Sequence, residues 1–205
     1  MYNTLNKFKN YTPYINGADN LLKAAILIPI VKKNNKLFVL FEMRSKLLKR
    51  QPSEVSFPGG IIEKNESPKD AAIRETYEEL GVSINDINII CELDLFIDSS
   101  SLIIHPFLSI ISNINNLNLN KSEVDHIFLI PLDYLLNYKP ECYKNEIITI
   151  RSKDFPYDLI ANKENYMNKK SYCTSIFYKY DKYIIWGMTA KILENFLIQF
   201  SKFSI

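Results

Sequence analysis

Three glutamates at helical spacing are the residues of this sequence best suited to hold a metal ion. Glu75, Glu78 and Glu79 stand at i, i+3 and i+4, so about 100° per residue places them on one face of a helix. Like charges on one stripe repel each other by roughly 0.2–0.5 kcal/mol per close pair. A hard divalent cation that binds carboxylates and substrate phosphates removes this repulsion. The alternative is a solvated acidic face.

The residues that precede these glutamates favour the metal site. The double glycine Gly59–Gly60 lets the backbone approach a ligand closely or turn a carbonyl oxygen toward a metal. Glu66 stands just before the helix, from where its carboxylate can reach back to the cluster. The combination is typical of metal-assisted hydrolysis.

A helix over Pro68–Leu80 must position the glutamates. Ser67 is a good N-cap, Pro68 suits the first helical position, and Asp70 completes a pattern like a capping box. Gly81 is a typical C-terminal stop. The opposite face of the helix is expected to pack on a core through three side chains, Ile73, Tyr77 and Leu80.

This stretch resembles the Nudix box, G-x5-E-x7-R-E-U-x-E-E-x-G-U, in which U is apolar. The matching positions are Gly60, Glu66, Arg74, Glu75, Glu78, Glu79, Gly81 and Val82. Thr76 departs from the box at a position that is usually apolar, although its methyl group can still pack.

The resemblance implies a fold and a chemistry. The fold is of the α/β class, a Nudix-type α/β/α sandwich with a mixed β-sheet and a loop–helix–loop box. The reaction is hydrolysis of a nucleoside diphosphate linked to another moiety. Glu75, Glu78 and Glu79 would bind Mg²⁺ or Mn²⁺, with the Gly59 carbonyl as an additional ligand. Arg74 and Glu66 would orient the carboxylates, and the catalytic base varies in this family, so Glu75 or Glu78 could serve.

A basic stretch precedes the double glycine. Arg44, Lys46, Lys49 and Arg50 lie within residues 44–60, beside a site that would handle phosphates. Such a stretch suggests anion binding. A surface loop that only adds solubility is the alternative.

The same stretch resembles the signature LLTxR-[SA]-x3-R-x3-G-x3-FPGG of coenzyme A pyrophosphatases. Leu40, Arg44, Ser45 and the run 57–60 match in register, whereas Glu42 replaces Thr, Lys49 replaces Arg and Ser53 replaces Gly. The resemblance implies that the diphosphate of coenzyme A, or of its derivatives, is cut into 3′,5′-ADP and 4′-phosphopantetheine or its acyl form. The substrate-binding residues would be Arg44, Lys49, Arg50, Ser56, Phe57 and Gly60. ADP-ribose, dinucleotides or a nucleoside triphosphate are alternative substrates, and a non-catalytic Nudix-fold binding module is a third reading.

Four further features are less specific. Glu123 precedes a strand and a Pro-Leu pair, as in coenzyme A pyrophosphatases, and is either an outer metal ligand or general base, or a plain surface residue. His105 is expected to be a structural hydrogen-bonding residue. The Asn-rich loop 112–121 could contact substrate or act as a lid. Aromatic residues near the C-terminal end could line an apolar slot for a pantetheine arm.

Length and composition favour a single domain. The 205 residues are 47% hydrophobic, enough for a full core, and the net charge of +2 argues against nucleic acid or a membrane as partner. We expect one domain over 1–205, with an N-terminal extension 1–21 and a family-variable segment 140–170. A polar N-terminus unlike a signal peptide predicts a cytoplasmic protein, as monomer or homodimer.

Periodicity and turn residues place the other elements. Strands are predicted at 23–33, 37–43, 54–57, 84–95, 102–111, 127–130, 146–151, 155–160, 171–180 and 183–186, with turns at 34–35 and 98–101 and a last helix over 189–203.

Overall fold

The computed structural model describes residues 2–12, 15–98, 101–162 and 170–203. Part of the turn predicted at 98–101 lies outside these residues. The chain forms two compact units, Met1–Lys32 with Phe57–Asn120, and Lys33–Ser56 with Lys121–Ile205.

Four α-helices and eleven strands make up the described chain. The helices are α1 (Tyr2–Lys7), α2 (Pro68–Leu80), α3 (Leu132–Asn137) and α4 (Gly187–Phe203). The strands are β1 (Leu22–Lys33), β2 (Lys36–Arg44), β3 (Val55–Ser56), β4 (Gly59–Ile61), β5 (Ile87–Glu92), β6 (Phe96–Asp98), β7 (Leu102–Ile111), β8 (Val124–Pro131), β9 (Glu141–Ile148), β10 (Lys170–Tyr180) and β11 (Tyr183–Ile185). None of the helices in these residues is long and apolar enough to cross a membrane.

The first unit contains a mixed sheet. β1 runs parallel to β7 and antiparallel to β4, while β5 and β6 pair antiparallel with β7. β1 is almost continuously apolar because it is buried over most of its length, as expected of a strand in a parallel pair. The predicted α/β class with a mixed sheet is therefore confirmed.

The second unit pairs β2 with β3 and β8, all antiparallel, and adds a sheet of order β11-β10-β9. α4 buries a stripe of apolar side chains that includes Leu193 and Phe196. The Thr189 hydroxyl on its first turn donates to the Val55 carbonyl, 3.2 Å away.

Turn chemistry accounts for the hairpin elements. Asn34 and Asn35 both have positive φ, which a two-residue type I′ turn requires and asparagine tolerates. Asp181 also has positive φ in the turn that joins β10 and β11, where Tyr180 pairs with Tyr183. The turn predicted at 34–35 is confirmed.

One predicted strand is wrong, and two others have different bounds. Residues 155–160 contain a 3-10 helix at Tyr157–Leu159, after Pro156, which lacks the N–H that a strand ladder needs. Residues 84–86 also form a 3-10 helix, so the strand expected there begins at Ile87. β9 ends at Ile148 and begins five residues before its predicted start.

Candidate active site

α2 begins and ends where the sequence predicts. The Ser67 hydroxyl oxygen accepts a hydrogen bond from the Asp70 N–H at 3.1 Å, which caps the first turn. Gly81 has φ of 66°, and its N–H donates to the Tyr77 carbonyl at 2.8 Å. Because a Cβ on Gly81 would lie 2.6 Å from the Asn118 carbonyl oxygen, this end of α2 requires glycine.

The buried face of α2 agrees with the predicted one at Leu80 and differs from it at Tyr77. Its buried residues are Ala71, Ala72, Thr76, Glu79 and Leu80, whereas Tyr77 is 52% exposed. Thr76 fills the apolar position of the box, and its hydroxyl donates to the Ala72 carbonyl at 2.7 Å. Small residues therefore bring α2 close to the sheet of this unit.

Arg74 is the centre of the acidic cluster. Its Nε and Nη2 donate to the two oxygens of Glu66 at 2.8 and 3.0 Å, a bidentate pair. Its Nη1 donates to Glu75 Oε1 at 2.8 Å and to Glu78 Oε2 at 3.2 Å. These hydrogen bonds raise the pKa of Arg74 and lower the pKa of Glu66. One guanidinium thus holds three of the predicted carboxylates.

Glu79 has a different environment. Glu79 is only 4% exposed, and its Oε2 accepts a hydrogen bond from the Gly59 N–H at 2.8 Å. The double glycine is therefore tied directly to the last glutamate of the stripe.

Glu75 lies against Gly60. A Cβ on Gly60 would be 2.5 Å from the Glu75 carboxyl carbon, a distance that real Cβ atoms do not show. The absence of a side chain at position 60 is thus what allows Glu75 its position. The structure brings together Gly59, Gly60, Glu66, Arg74, Glu75, Glu78 and Glu79.

The donor chemistry of this cluster suits a hard divalent cation. Its oxygens belong to four carboxylates. Three of these share one guanidinium and Glu79 accepts from a backbone N–H, so an excess of negative charge remains. Glu75 and Glu78 already converge on a single cationic nitrogen, Arg74 Nη1. In the described part of the chain no three acidic, histidine or cysteine side chains converge as a metal would require. In this arrangement Arg74 and the Gly59 N–H donate hydrogen bonds to oxygens of Glu75, Glu78 and Glu79.

The Asn-rich loop is bonded to the C-terminal end of α2. The Asn118 N–H donates to the Leu80 carbonyl at 3.1 Å, and the Asn120 N–H donates to the Glu79 carbonyl at 2.9 Å. These bonds satisfy carbonyls that lack partners within the helix. The loop therefore fixes the end of α2, and a role as a lid stays a prediction.

The basic residues, within 44–50, belong to the second unit, where main-chain hydrogen bonds join the two ends of the segment that carries them. The Ser53 N–H donates to the Arg44 carbonyl at 3.1 Å, and the Arg44 N–H donates to the Glu54 carbonyl at 2.9 Å. Lys49 and Arg50 are exposed, and neither makes a hydrogen bond or ion pair within the described residues. Ser53, which replaces the glycine of the family signature, has φ of 59°.

Glu42, which replaces the threonine of the coenzyme A signature, is a buried carboxyl group. The residue is 1% exposed, and its Oε1 accepts a hydrogen bond from the Ser56 hydroxyl at 2.8 Å. Burial raises the pKa of Glu42 to about 7, although the Ser56 hydrogen bond and the Arg44 charge oppose the rise. The acidic residue of β2, KLFVLFEMR, follows a run of five apolar residues, and this was the signal available in the sequence.

The remaining predicted residues have ordinary surroundings. Glu123 is half-buried, and its carbonyl accepts from the Ser45 N–H at 2.7 Å. Phe57 is only 4% exposed, so it is buried in the core. His105 Nδ1 lies 2.6 Å from Glu92 Oε1, in agreement with the expected hydrogen-bonding role.

Comparison with known proteins places this arrangement in a family. Residues 21–164 match the NUDIX domain family. The mouse protein named peroxisomal coenzyme A diphosphatase NUDT7 is 29% identical over 171 residues, which cover 83% of this chain and 66% of that protein. The Caenorhabditis elegans protein named peroxisomal coenzyme A diphosphatase ndx-8 is 39% identical over 106 residues, or 50% of this chain and 45% of that protein. The chain thus spans less than two thirds of the length of these two relatives.

A bacterial relative and a solved structure cover more of the chain. The Escherichia coli protein named uncharacterized Nudix hydrolase NudL is 26% identical over 197 residues, 95% of this chain and 92% of that protein. A crystal structure of a MutT/nudix family protein from Enterococcus faecalis superimposes with a TM-score of 0.53 at 15% identity, covering 98% of this chain and 70% of the other. That likeness concerns the fold alone. With the family match spanning residues 21–164, the chain belongs to the NUDIX domain family.

Proposed function

We propose that the chain is a metal-dependent pyrophosphatase that hydrolyses the diphosphate linkage of coenzyme A or its derivatives. Water adds to one phosphorus, the P–O–P bond breaks, and the products are 3′,5′-ADP and 4′-phosphopantetheine or its acyl form. The cluster of three carboxylates around Arg74, with Glu79 bonded to the Gly59 N–H, is the observation that carries the proposal. The names of the mouse and nematode relatives support the choice of substrate.

The residues of the box have separate roles in this proposal. Glu75, Glu78, Glu79 and the Gly59 carbonyl would hold Mg²⁺ or Mn²⁺. The cation, when bound, polarises the diphosphate and lowers the pKa of the attacking water. The Glu66–Arg74 pair holds the Glu75 and Glu78 side chains near each other through Nη1. Glu75, Glu78 and Glu123 are the candidates for the base that accepts the proton of the water.

The basic segment would select the substrate. Arg44, Lys49 and Arg50 would bind the 3′-phosphate or the diphosphate, and Lys49 acts as a point charge because it lacks the fork of arginine. Lys49 and Arg50 are exposed and have no partner in the described residues, so their charges are available to a ligand. Ser56, Phe57 and Gly60 complete the predicted binding residues.

The remaining expectations stay proposals. We propose that residues 1–205 act as one domain, with a variable segment at 140–170, and that the protein works as a monomer or homodimer. A cytoplasmic location is also a prediction, and two relatives carry names that say peroxisomal.

Product analysis tests the reaction. The purified protein is incubated with coenzyme A and Mg²⁺ or Mn²⁺, and 3′,5′-ADP is measured by chromatography. We expect Glu78→Gln to reduce its formation by orders of magnitude. Glu63→Gln is the matched control, because Glu63 lies just before α2 with an exposed side chain outside the Arg74 cluster. No 3′,5′-ADP above background would reject coenzyme A as substrate.

A second candidate keeps the chemistry and changes the substrate to ADP-ribose, a dinucleotide or a nucleoside triphosphate. Two departures from the coenzyme A signature favour it, Lys49 in place of Arg and Ser53 in place of Gly. A side-by-side panel of coenzyme A, acyl derivatives, ADP-ribose and NADH decides between the two. If Glu78→Gln folds normally and changes no turnover on any of these, the third reading, a binding module, is favoured.

A further inference from the structure

Glu42 and Arg44 lie two residues apart near the end of β2, where the register with β8 shifts. The positive charge of Arg44 acts on the Glu42 carboxyl, so the carboxyl group and the guanidinium are neighbours. Ser56 is the cross-strand partner of Glu42 on β3 and donates its hydroxyl hydrogen to Oε1. Ile127 is the partner of Glu42 on β8, and it brings no charge.

Both neighbours keep a polar atom without a partner. Glu42 Oε2 and Arg44 Nε are buried, and neither has a hydrogen-bond partner within the described residues. A buried donor or acceptor that stays unpaired costs about 1–3 kcal/mol, more for a charged group. This cost can be removed in two ways. Either Glu42 and Arg44 bond to each other, or Arg44 bonds to an acceptor atom of a ligand.

The charge state of the Glu42 carboxyl determines which of these two contacts Arg44 makes. Its pKa of about 7 leaves the carboxyl neutral at lower pH and ionised at higher pH. The charged groups that act on it are Arg44 on the same strand and Glu123, which precedes β8. His126 of β8 pairs with Met43, so it belongs to the other face of the strand.

We propose that Glu42 is a positioning residue that controls whether Arg44 is available to a phosphate group. Neutral Glu42 leaves the guanidinium to the phosphate, and ionised Glu42 binds the guanidinium itself. This inference rests on the proposed function, in which Arg44 binds a phosphate of the substrate. The threonine of the coenzyme A signature at this position could not exert such control, because it carries no charge.

Ligand binding at several pH values tests the inference. Dissociation constants of 3′,5′-ADP and of inorganic pyrophosphate are measured by calorimetry from about pH 5.5 to about pH 8.5, which brackets the titration of Glu42. At each pH the wild-type dissociation constant is divided by that of Glu42→Gln, because this ratio is independent of the ligand's own titration. We expect a ratio near one at low pH that rises about five- to ten-fold above neutrality. The reason is that ionised Glu42 replaces the phosphate as the partner of Arg44, which removes one partly exposed charge-assisted contact from the ligand. In an Arg44→Gln background the ratio should stay near one at every pH.

Two further variants make the outcome decisive. Glu54→Gln, a neutralised glutamate in the same segment, should keep the wild-type pH profile. Glu42→Thr should behave as Glu42→Gln does, and it serves if the glutamine variant fails to fold. Pyrophosphate binding that depends on Glu42, with no binding of 3′,5′-ADP, would reject coenzyme A and keep the inference. A flat ratio, a ratio that ignores Arg44→Gln, or no binding of either ligand would overturn it.

Discussion

The burial of Glu42 predicts a measurable dependence of stability on pH. The pKa of this carboxyl rises from 4.5 to about 7 when the chain folds, mainly because burial disfavours the charged form. The folded state therefore holds a proton that the unfolded chain has lost in this window. The contribution of Glu42 to the free energy of unfolding is highest below pH 4.5, falls as the pH rises toward about 7, and is constant above it.

Glu42→Gln should remove this dependence. A shift from 4.5 to about 7, at about 1.4 kcal/mol per pH unit, corresponds to about 3 kcal/mol. The glutamine carbonyl can still accept the hydrogen bond of the Ser56 hydroxyl and carries no charge to desolvate. At pH values above 7 the variant should thus be more stable than the wild type by up to about 3 kcal/mol. At acid pH the two proteins should be nearly equal.

Urea denaturation at a series of pH values measures the effect. The single tryptophan, Trp186, is 43% exposed and stacks on Phe177, so its fluorescence reports unfolding of the second unit. Glu54→Gln controls for the loss of one negative charge in the same segment. If the wild type and Glu42→Gln lose stability in parallel between pH 5 and pH 8, burial does not raise the pKa of Glu42 and the reasoning is wrong.

Four other perturbations test the box and the basic segment. Gly60→Ala should lower kcat by about 100-fold with an unchanged circular dichroism spectrum, because the new methyl group displaces Glu75; near wild-type kcat would refute the contact. Arg74→Lys should lower kcat by about ten-fold or more, since lysine cannot bond Glu66 bidentately and reach Glu75 as well, and an unchanged kcat would separate the cluster from catalysis. Ser53→Gly should raise the free energy of unfolding by about 0.5–1 kcal/mol in urea, because φ is 59° there, and a loss of stability would contradict this. Chelation of divalent cations should abolish hydrolysis and added Mn²⁺ should restore it, whereas activity in excess chelator would exclude the proposed metal role.

Local rules account for what could be predicted from the sequence. The ends of α2 follow from Ser67 and Gly81, whose side-chain cap and left-handed conformation depend on neighbours within one turn. The hairpin turns follow in the same way from Asn34, Asn35 and Asp181. The wrong strand at 155–160 shows the limit, because a short apolar run beside Pro156 does not distinguish a strand from a 3-10 helix.

The sequence by itself determined the acidic helix of this protein: its boundaries, its stripe of glutamates and its membership in a family. These depend on residues close together in the chain. Only the tertiary structure decided that Tyr77 faces solvent, that Glu75 rests on Gly60 and that Glu42 is buried beside Ser56. The physical reason is that burial and cross-strand contact depend on which distant segments pair, and those pairings set the pKa of Glu42.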